Sequence, residues 1–137
     1  MNILPASSIT AGALDAEKMR VEIVSQNIAN AHTTKGIDGK PYQRRIVAFE
    51  SMLDAASGNP NLQSVRVSEI KRDETPGEII HNPEHPHADA DGNVQMTNVN
   101  VPFEMVDMVT ATRSYEANLA VVRNARQMAT QALSIGR

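Results

Sequence analysis

Three of the four histidines fall in one short stretch, His81-Asn82-Pro83-Glu84-His85-Pro86-His87-Ala88-Asp89-Ala90-Asp91-Gly92, together with three carboxylates. Imidazole and carboxylate are good ligands for zinc or iron, so a small metal-binding hydrolase built on His81, His85, His87 and Asp89 is one reading of this segment. The spacing argues against it. His85 and His87 flank a proline, which favours an extended backbone, and no second cluster supplies complementary ligands. Asp89-x-Asp91-Gly92 matches part of a calcium loop, but the residues expected around it are missing. Turn chemistry of Asn, Asp, Pro and Gly accounts for the segment more simply.

Other groups offer less. There is no cysteine, no Gly-x-Ser-x-Gly elbow and no phosphate-binding glycine loop. His32 beside Thr33 and Thr34 reads as an exposed loop histidine rather than a base. Arg113 and Tyr115 fit packing and solvated-surface roles better than ligand recognition. The expectation is a protein that is not an enzyme, with no cofactor and no metal.

The elements that would carry any site are two helices around an irregular middle. From about Ser7 to Asn30 good helix formers dominate and Gly12 is the one glycine. Ile9, Ala13, Leu14, Ala16, Met19, Val21, Ile23, Val24 and Ile28 cover an arc of roughly 220°, against about 100° for an ordinary surface helix. Such an arc suits contact with more than one other helix.

The last stretch, about Val101 to Ile135, predicts a helix roughly 50 Å long. Asn100 is placed to cap it and Pro102 fits its first turn. Glu104 and Asp107 complement the positive end of its dipole, Arg123, Arg126 and Arg137 the other end, and Gly136 closes it. Ala117, Val121, Ala125, Met128, Ala132 and Ile135 follow the spacing of a coiled-coil seam, widened by Val122, Ala129 and Leu133. Met105, Met108, Val109 and Thr112 point nearly the opposite way. No Pro or Gly between Glu104 and Leu133 provides a kink, so each end is expected to meet a different neighbour.

Between the helices, Pro41–Phe49 alternates, and Ser64–Ile70 and Gly77–Ile80 are further strand candidates, punctuated by glycines and prolines. This middle is too poor in apolar residues for its own core and predicts a small hairpin or a flexible arm. The fold class is therefore mainly α, with N- and C-terminal helices forming a coiled-coil-like pair and an irregular, β-hairpin segment between them. The expected division is 1–34 (assembly helix and export region), 35–97 (middle) and 98–137 (assembly helix).

Composition limits the partners. Aromatic residues are 3% of the 137, so a compact self-contained core is hard to build and partners must cover apolar surface. The net charge is −3 with both signs interspersed, unlike the basic stripe of a nucleic-acid binder. No apolar run approaches the roughly 20 residues of a membrane span, so neither nucleic acid nor membrane insertion is expected. Met1-Asn2-Ile3-Leu4-Pro5 lacks the pattern of a cleaved secretory signal. A cytoplasmic helical adaptor is thus a second alternative.

Two strings carry a resemblance. Ser25-Gln26-Asn27-Ile28-Ala29-Asn30-Ala31-His32-Thr33-Thr34 resembles the N-terminal signature of flagellar rod, hook and hook-associated proteins, whose core is Asn-Ile-Ala-Asn followed by Thr. Asn30 can adopt a left-handed helix-closing conformation and bond to free backbone groups. Asn27, one turn earlier, can bond to a neighbouring chain or the exiting loop. Glu104 through Asn118, ending Arg113-Ser114-Tyr115-Glu116-Ala117-Asn118, resembles the C-terminal helix of the same family. Asp73 through Pro76, His85 through Gly92 and Val94 through Asn100 resemble the proximal-rod branch. Asn93 stands where that branch usually has an aromatic residue and Thr97 where it has proline, which implies a less rigid loop entering the last helix.

The resemblance covers nearly the whole chain and implies a structural subunit of the basal-body rod. Its terminal helices would line a hollow helical tube that passes exported subunits and transmits torque, with the middle packed outward. The implied partners are copies of itself, other rod subunits, the adaptor between MS ring and rod, and the flagellar type III export apparatus. The implied location is the periplasmic rod, reached without a cleaved signal peptide. The residues expected to form the assembly interface are Ile9, Ala16, Ile23, Asn27, Ile28, Asn30, Met105, Met108, Val109, Arg113, Tyr115, Asn118, Val121, Met128 and Ile135.

Overall fold

The computed structural model describes residues 4–53 and 63–135. Helix α1 spans Leu4–Ala29 and helix α2 spans Val101–Ile135, and between them lie four strands: β1 (Arg45–Leu53), β2 (Gln63–Arg72), β3 (Ile79–His81) and β4 (Asn93–Gln95). The protein is mainly α, as the periodicity implied. The middle is two separate antiparallel hairpins, β1 with β2 and β3 with β4.

Local signals explain where α2 starts. Asn100 Oδ1 accepts the Phe103 N–H at 3.3 Å and its carbonyl accepts the Glu104 N–H at 3.0 Å, so the cap and first helical bond are both made. The exit of α1 differs from expectation. No described non-glycine residue has a positive φ, so Asn30 does not turn left-handed. Its amide Nδ2 instead doubles the main-chain bond on the Gln26 carbonyl (2.9 Å), and its Oδ1 accepts the Thr33 hydroxyl (3.2 Å). The two side-chain bonds tighten the last turn without a φ reversal. Gly136 and Arg137 lie outside the described residues, as does most of the stretch from Ser51 to Gln63.

The helices run antiparallel. Asn27 meets Glu104 and Arg20 meets Asp107, so α1 retreats as α2 advances. The α2 residues removed at least partly from solvent include Glu104, Met108, Ala111, Tyr115, Asn118, Val122, Ala125 and Ala129, which repeat every four and three positions. As far as Ala125 this row faces α1, whose buried residues include Ala16, Ile23, Val24 and Asn27. At equal rise per residue this register carries about the last ten residues of α2 past the start of α1.

Hairpin β1–β2 lies against α1. An extra residue, Ser68, bulges between the pairs Ala48↔Glu69 and Phe49↔Val67 and lets both strands keep apolar residues on one side. Gly12 is the point of closest approach: a Cβ there would sit 2.7 Å from Ser64 Oγ and 2.9 Å from the Val65 carbonyl oxygen. Gly12→Ala ordinarily gains about 1 kcal/mol of helix propensity. Here it pushes on strand backbone, and we expect a net loss of about 1 kcal/mol, read as a lower thermal midpoint by far-ultraviolet circular dichroism. A raised midpoint would show that the hairpin does not rest on this turn.

Candidate functional site

Four chain segments converge where α1 ends and α2 begins: the end of α1, the start of β1, the chain leaving β2, and the residues before α2. A polar cluster ties them together. Asn27 is fully buried and all of its polar capacity is used. Its Nδ2 donates to the Arg45 carbonyl (2.9 Å) and to Glu104 Oε2 (2.9 Å). Its Oδ1 accepts from the Tyr42 hydroxyl (2.9 Å) and the Arg45 N–H (2.9 Å). An amide is the one side chain of this size that can donate twice and accept twice here.

Glu104 is equally buried, and Arg44 Nε donates to its Oε1 at 2.5 Å. Burying a carboxylate is costly unless it is paired, and here it has both a charged partner and an amide. One turn on, Asp107 pairs with Arg20. Tyr42 is held above its ordinary pKa, first because burial disfavours the phenolate and then because the Glu104 carboxylate is near, against the opposing pull of Arg45 and Arg72.

Asn98 does the same work for the outer segments. Its Oδ1 accepts the Arg44 N–H (2.7 Å), and its Nδ2 donates to the carbonyls of Asp73 (2.9 Å) and Thr75 (3.0 Å). Asp73 caps the following turn by accepting the Thr75 N–H, and hydrogen bonding with Thr75 lowers its pKa. The buried Thr97 donates its hydroxyl to the Ala31 carbonyl at 2.6 Å. Thr97, expected to loosen this loop in place of proline, therefore fastens it to the exit of α1.

The histidine segment is occupied with its own turns. His85 Nδ1 accepts the His87 N–H (3.1 Å), and Asp89 Oδ1 accepts the N–H groups of Asp91 (3.0 Å) and Asn93 (2.8 Å). His87 Nδ1 pairs with the Thr34 hydroxyl at 2.8 Å and His81 Nδ1 with Asn93 Oδ1 at 3.2 Å. Among the described residues no three His, Cys, Asp or Glu side chains gather to hold a metal. Likewise, no helix among them is long and apolar enough to cross a membrane.

The expected interface residues divide into three sets. Ala16, Ile23 and Asn27 are buried, and Ile9, Ile28, Asn30, Met108, Tyr115 and Asn118 are half-buried. Met105, Val109, Arg113, Val121, Met128 and Ile135 are exposed, Val121 at 56%, Met128 at 63% and Ile135 at 85%. The α2 row that faces α1 is thus not the most apolar one. Met108 belongs to it rather than to the Met105–Val109 face, while Val121, Met128 and Ile135, seven residues apart, run beside it uncovered. Glu104, Arg44 and Asn98 were not foreseen as site residues; an acidic residue in a helix's first turn has an adequate local explanation that conceals its tertiary one.

The family model of the C-terminal region of flagellar basal-body rod FlgEFG proteins matches residues 90–135, which include β4, the loop with Asn98, and α2. Flagellar basal-body rod protein FlgC of Salmonella typhimurium is 36% identical over 136 residues, covering 99% of each chain. The chain belongs to the FlgC family of flagellar basal-body rod proteins. FlgC of Agrobacterium fabrum is 41% identical over 133 residues, covering 95% of this chain and 92% of its own. FlgC of Bacillus subtilis is 36% identical over 150 aligned positions, with both chains covered in full. The FlgC family is structural rather than enzymatic.

Proposed function

We propose that this protein is a structural subunit of the bacterial flagellar rod that assembles through exposed faces of its helix pair. The observation that carries the reading is the row Val121, Met128 and Ile135, left open along α2 beside the row facing α1. Isolated exposed apolar residues need no explanation, but three at heptad spacing form a stripe suited to another helix. In the assembled rod α1 and α2 form a coiled-coil-like pair lining a channel for exported subunits. Met105 and Val109 meet one neighbour, and the Val121–Ile135 stripe meets another. Residues 1–34 and 98–137 are the assembly regions and 35–97 the outward segment, which the Asn27 cluster clamps to the helices so that torque passes between layers. Its partners are further copies, other rod subunits and the adaptor at the MS ring. It reaches the periplasmic rod through the type III apparatus.

Substitution at the stripe tests this. Val121→Asp and Met128→Asp lie on an exposed helix face, where monomer stability should change by only about 0.5 kcal/mol. In a strain lacking its own copy, we expect both variants to be secreted but absent from isolated basal bodies, with swimming lost. Normal swimming by the double variant would overturn the assignment of this face.

A further inference from the structure

Charge is unevenly divided across the middle of the chain. Between Asp73 and Thr97 there are six carboxylates (Asp73, Glu74, Glu78, Glu84, Asp89 and Asp91) and no Lys or Arg. Next to this arm, the loop from Thr33 to Gln43 borders a cavity of about 1070 Å³ lined by Lys35, Lys40, Arg45 and Arg72, with Asp38 as the one lining acid. The ion pairs among the described residues join Arg20 with Glu17 and Asp107, Arg44 with Glu104, Arg66 with Glu50, and Lys71 with Glu69. Neither the four cavity cations nor the six carboxylates of the arm take part in any of them.

We propose that the basic cavity beside the 33–43 loop receives the acidic β3–β4 arm of a neighbouring copy. This rests on the rod-subunit reading and adds a second, electrostatic contact outside the helices. The bond between Thr34 and His87 keeps cavity and arm side by side on one molecule. A copy displaced by one patch width therefore brings its negative surface over its neighbour's positive one, and the same step can repeat. That is the heterologous, non-closing contact a helical array needs. Apolar groups accompany the charges on both sides: Ile37 stands fully exposed at the cavity rim, and Ile79 and Ile80 are exposed on the arm. Opposed potentials of this kind set partner choice and register, and like charges placed there repel strongly.

Charge reversal with compensation tests the pairing. One variant carries Lys35→Glu and Lys40→Glu, which makes both patches negative; the other carries Glu74→Lys, Glu78→Lys, Glu84→Lys and Asp91→Lys, which sets four lysines against two remaining acids and makes the arm positive. Each is a surface change, so thermal midpoints matching the parent's confirm folding. Expressed alone in a strain lacking its own copy, each should be incorporated into basal bodies about tenfold less than the parent. Expressed together they should recover incorporation, because each variant's arm then complements the other's cavity. Because the chain has no cysteine, Lys40→Cys and Glu84→Cys chains should form mixed disulfide-linked pairs in basal bodies when co-expressed. Undiminished incorporation of the reversed variants, or a loss without rescue and without the mixed cross-link, overturns the pairing. Absence of the parent chain itself from basal bodies overturns the rod-subunit reading instead.

Discussion

Replacing Asn27 by leucine should lower the unfolding free energy by about 3–5 kcal/mol, more than any other single side-chain change in α1. Size is nearly conserved, so packing contributes little to the loss. Four hydrogen bonds disappear at once, and the groups left behind are the Arg45 N–H and carbonyl, the Tyr42 hydroxyl and one oxygen of Glu104. A buried polar group stripped of its partner costs its full desolvation, whereas the bond itself is worth only about 1 kcal/mol net. Asn27→Asp should be nearly as harmful. It keeps the acceptors but loses both donors and sets a second carboxylate against Glu104. Urea denaturation of the purified protein measures both, and a loss under about 1 kcal/mol for Asn27→Leu would mean that the cluster is not a clamp.

Gly77→Ala has the second large effect, through backbone rather than hydrogen-bond donors. A Cβ at Gly77 would stand 2.0 Å from the Met96 carbonyl oxygen and 2.7 Å from the Thr97 carbonyl carbon. Both neighbours are main chain, so no side-chain rotation relieves the overlap. The two chains must separate, which breaks the Met96 N–H bond to the Glu78 carbonyl (2.8 Å) at the base of the β3–β4 hairpin. Thr97 and Asn98 follow directly, and with them the ties to Ala31, Arg44, Asp73 and Thr75. We expect a loss of about 3 kcal/mol and faster amide exchange at Val94 and Met96, with α2 amides near Ala111 less affected. Gly39→Ala is the comparison. Gly39 has φ of 76° but nothing within 4 Å, so that substitution bears only the left-handed backbone cost of about 1 kcal/mol. Equal effects of the two would show that the contact at Gly77 yields freely.

The sequence by itself determined the elements whose causes are local. The Asn100 cap and Pro102 mark the start of α2, and its observed bounds, Val101–Ile135, are those the pattern predicts. β1 and β2 lie within a few residues of the alternating runs that announced them. β4 was not legible, because Asn93–Gln95 is too short to alternate and exists through its pairing with β3. Asn27 was half legible: its position one turn before the helix exit suggested a bond to the exiting loop, which Tyr42 and Arg45 supply, but its bond to Glu104 across the helix pair was not foreseen.

Which side of α2 meets α1 was decided only by the tertiary structure. Apolar spacing favoured Ala117, Val121, Ala125, Met128, Ala132 and Ile135 as a seam, widened by Val122, Ala129 and Leu133; of these only Val122, Ala125 and Ala129 are partly buried, in line with Glu104, Ala111 and Asn118, and the others stay exposed. Small residues there allow close helix approach, and the buried polar ones are matched by partners that come from distant parts of the chain. Hydrophobicity along a sequence records that a side chain leaves water; it carries no label for whether the same chain or another covers it. Packing α1 against one row assigns that row to the subunit and leaves the other open.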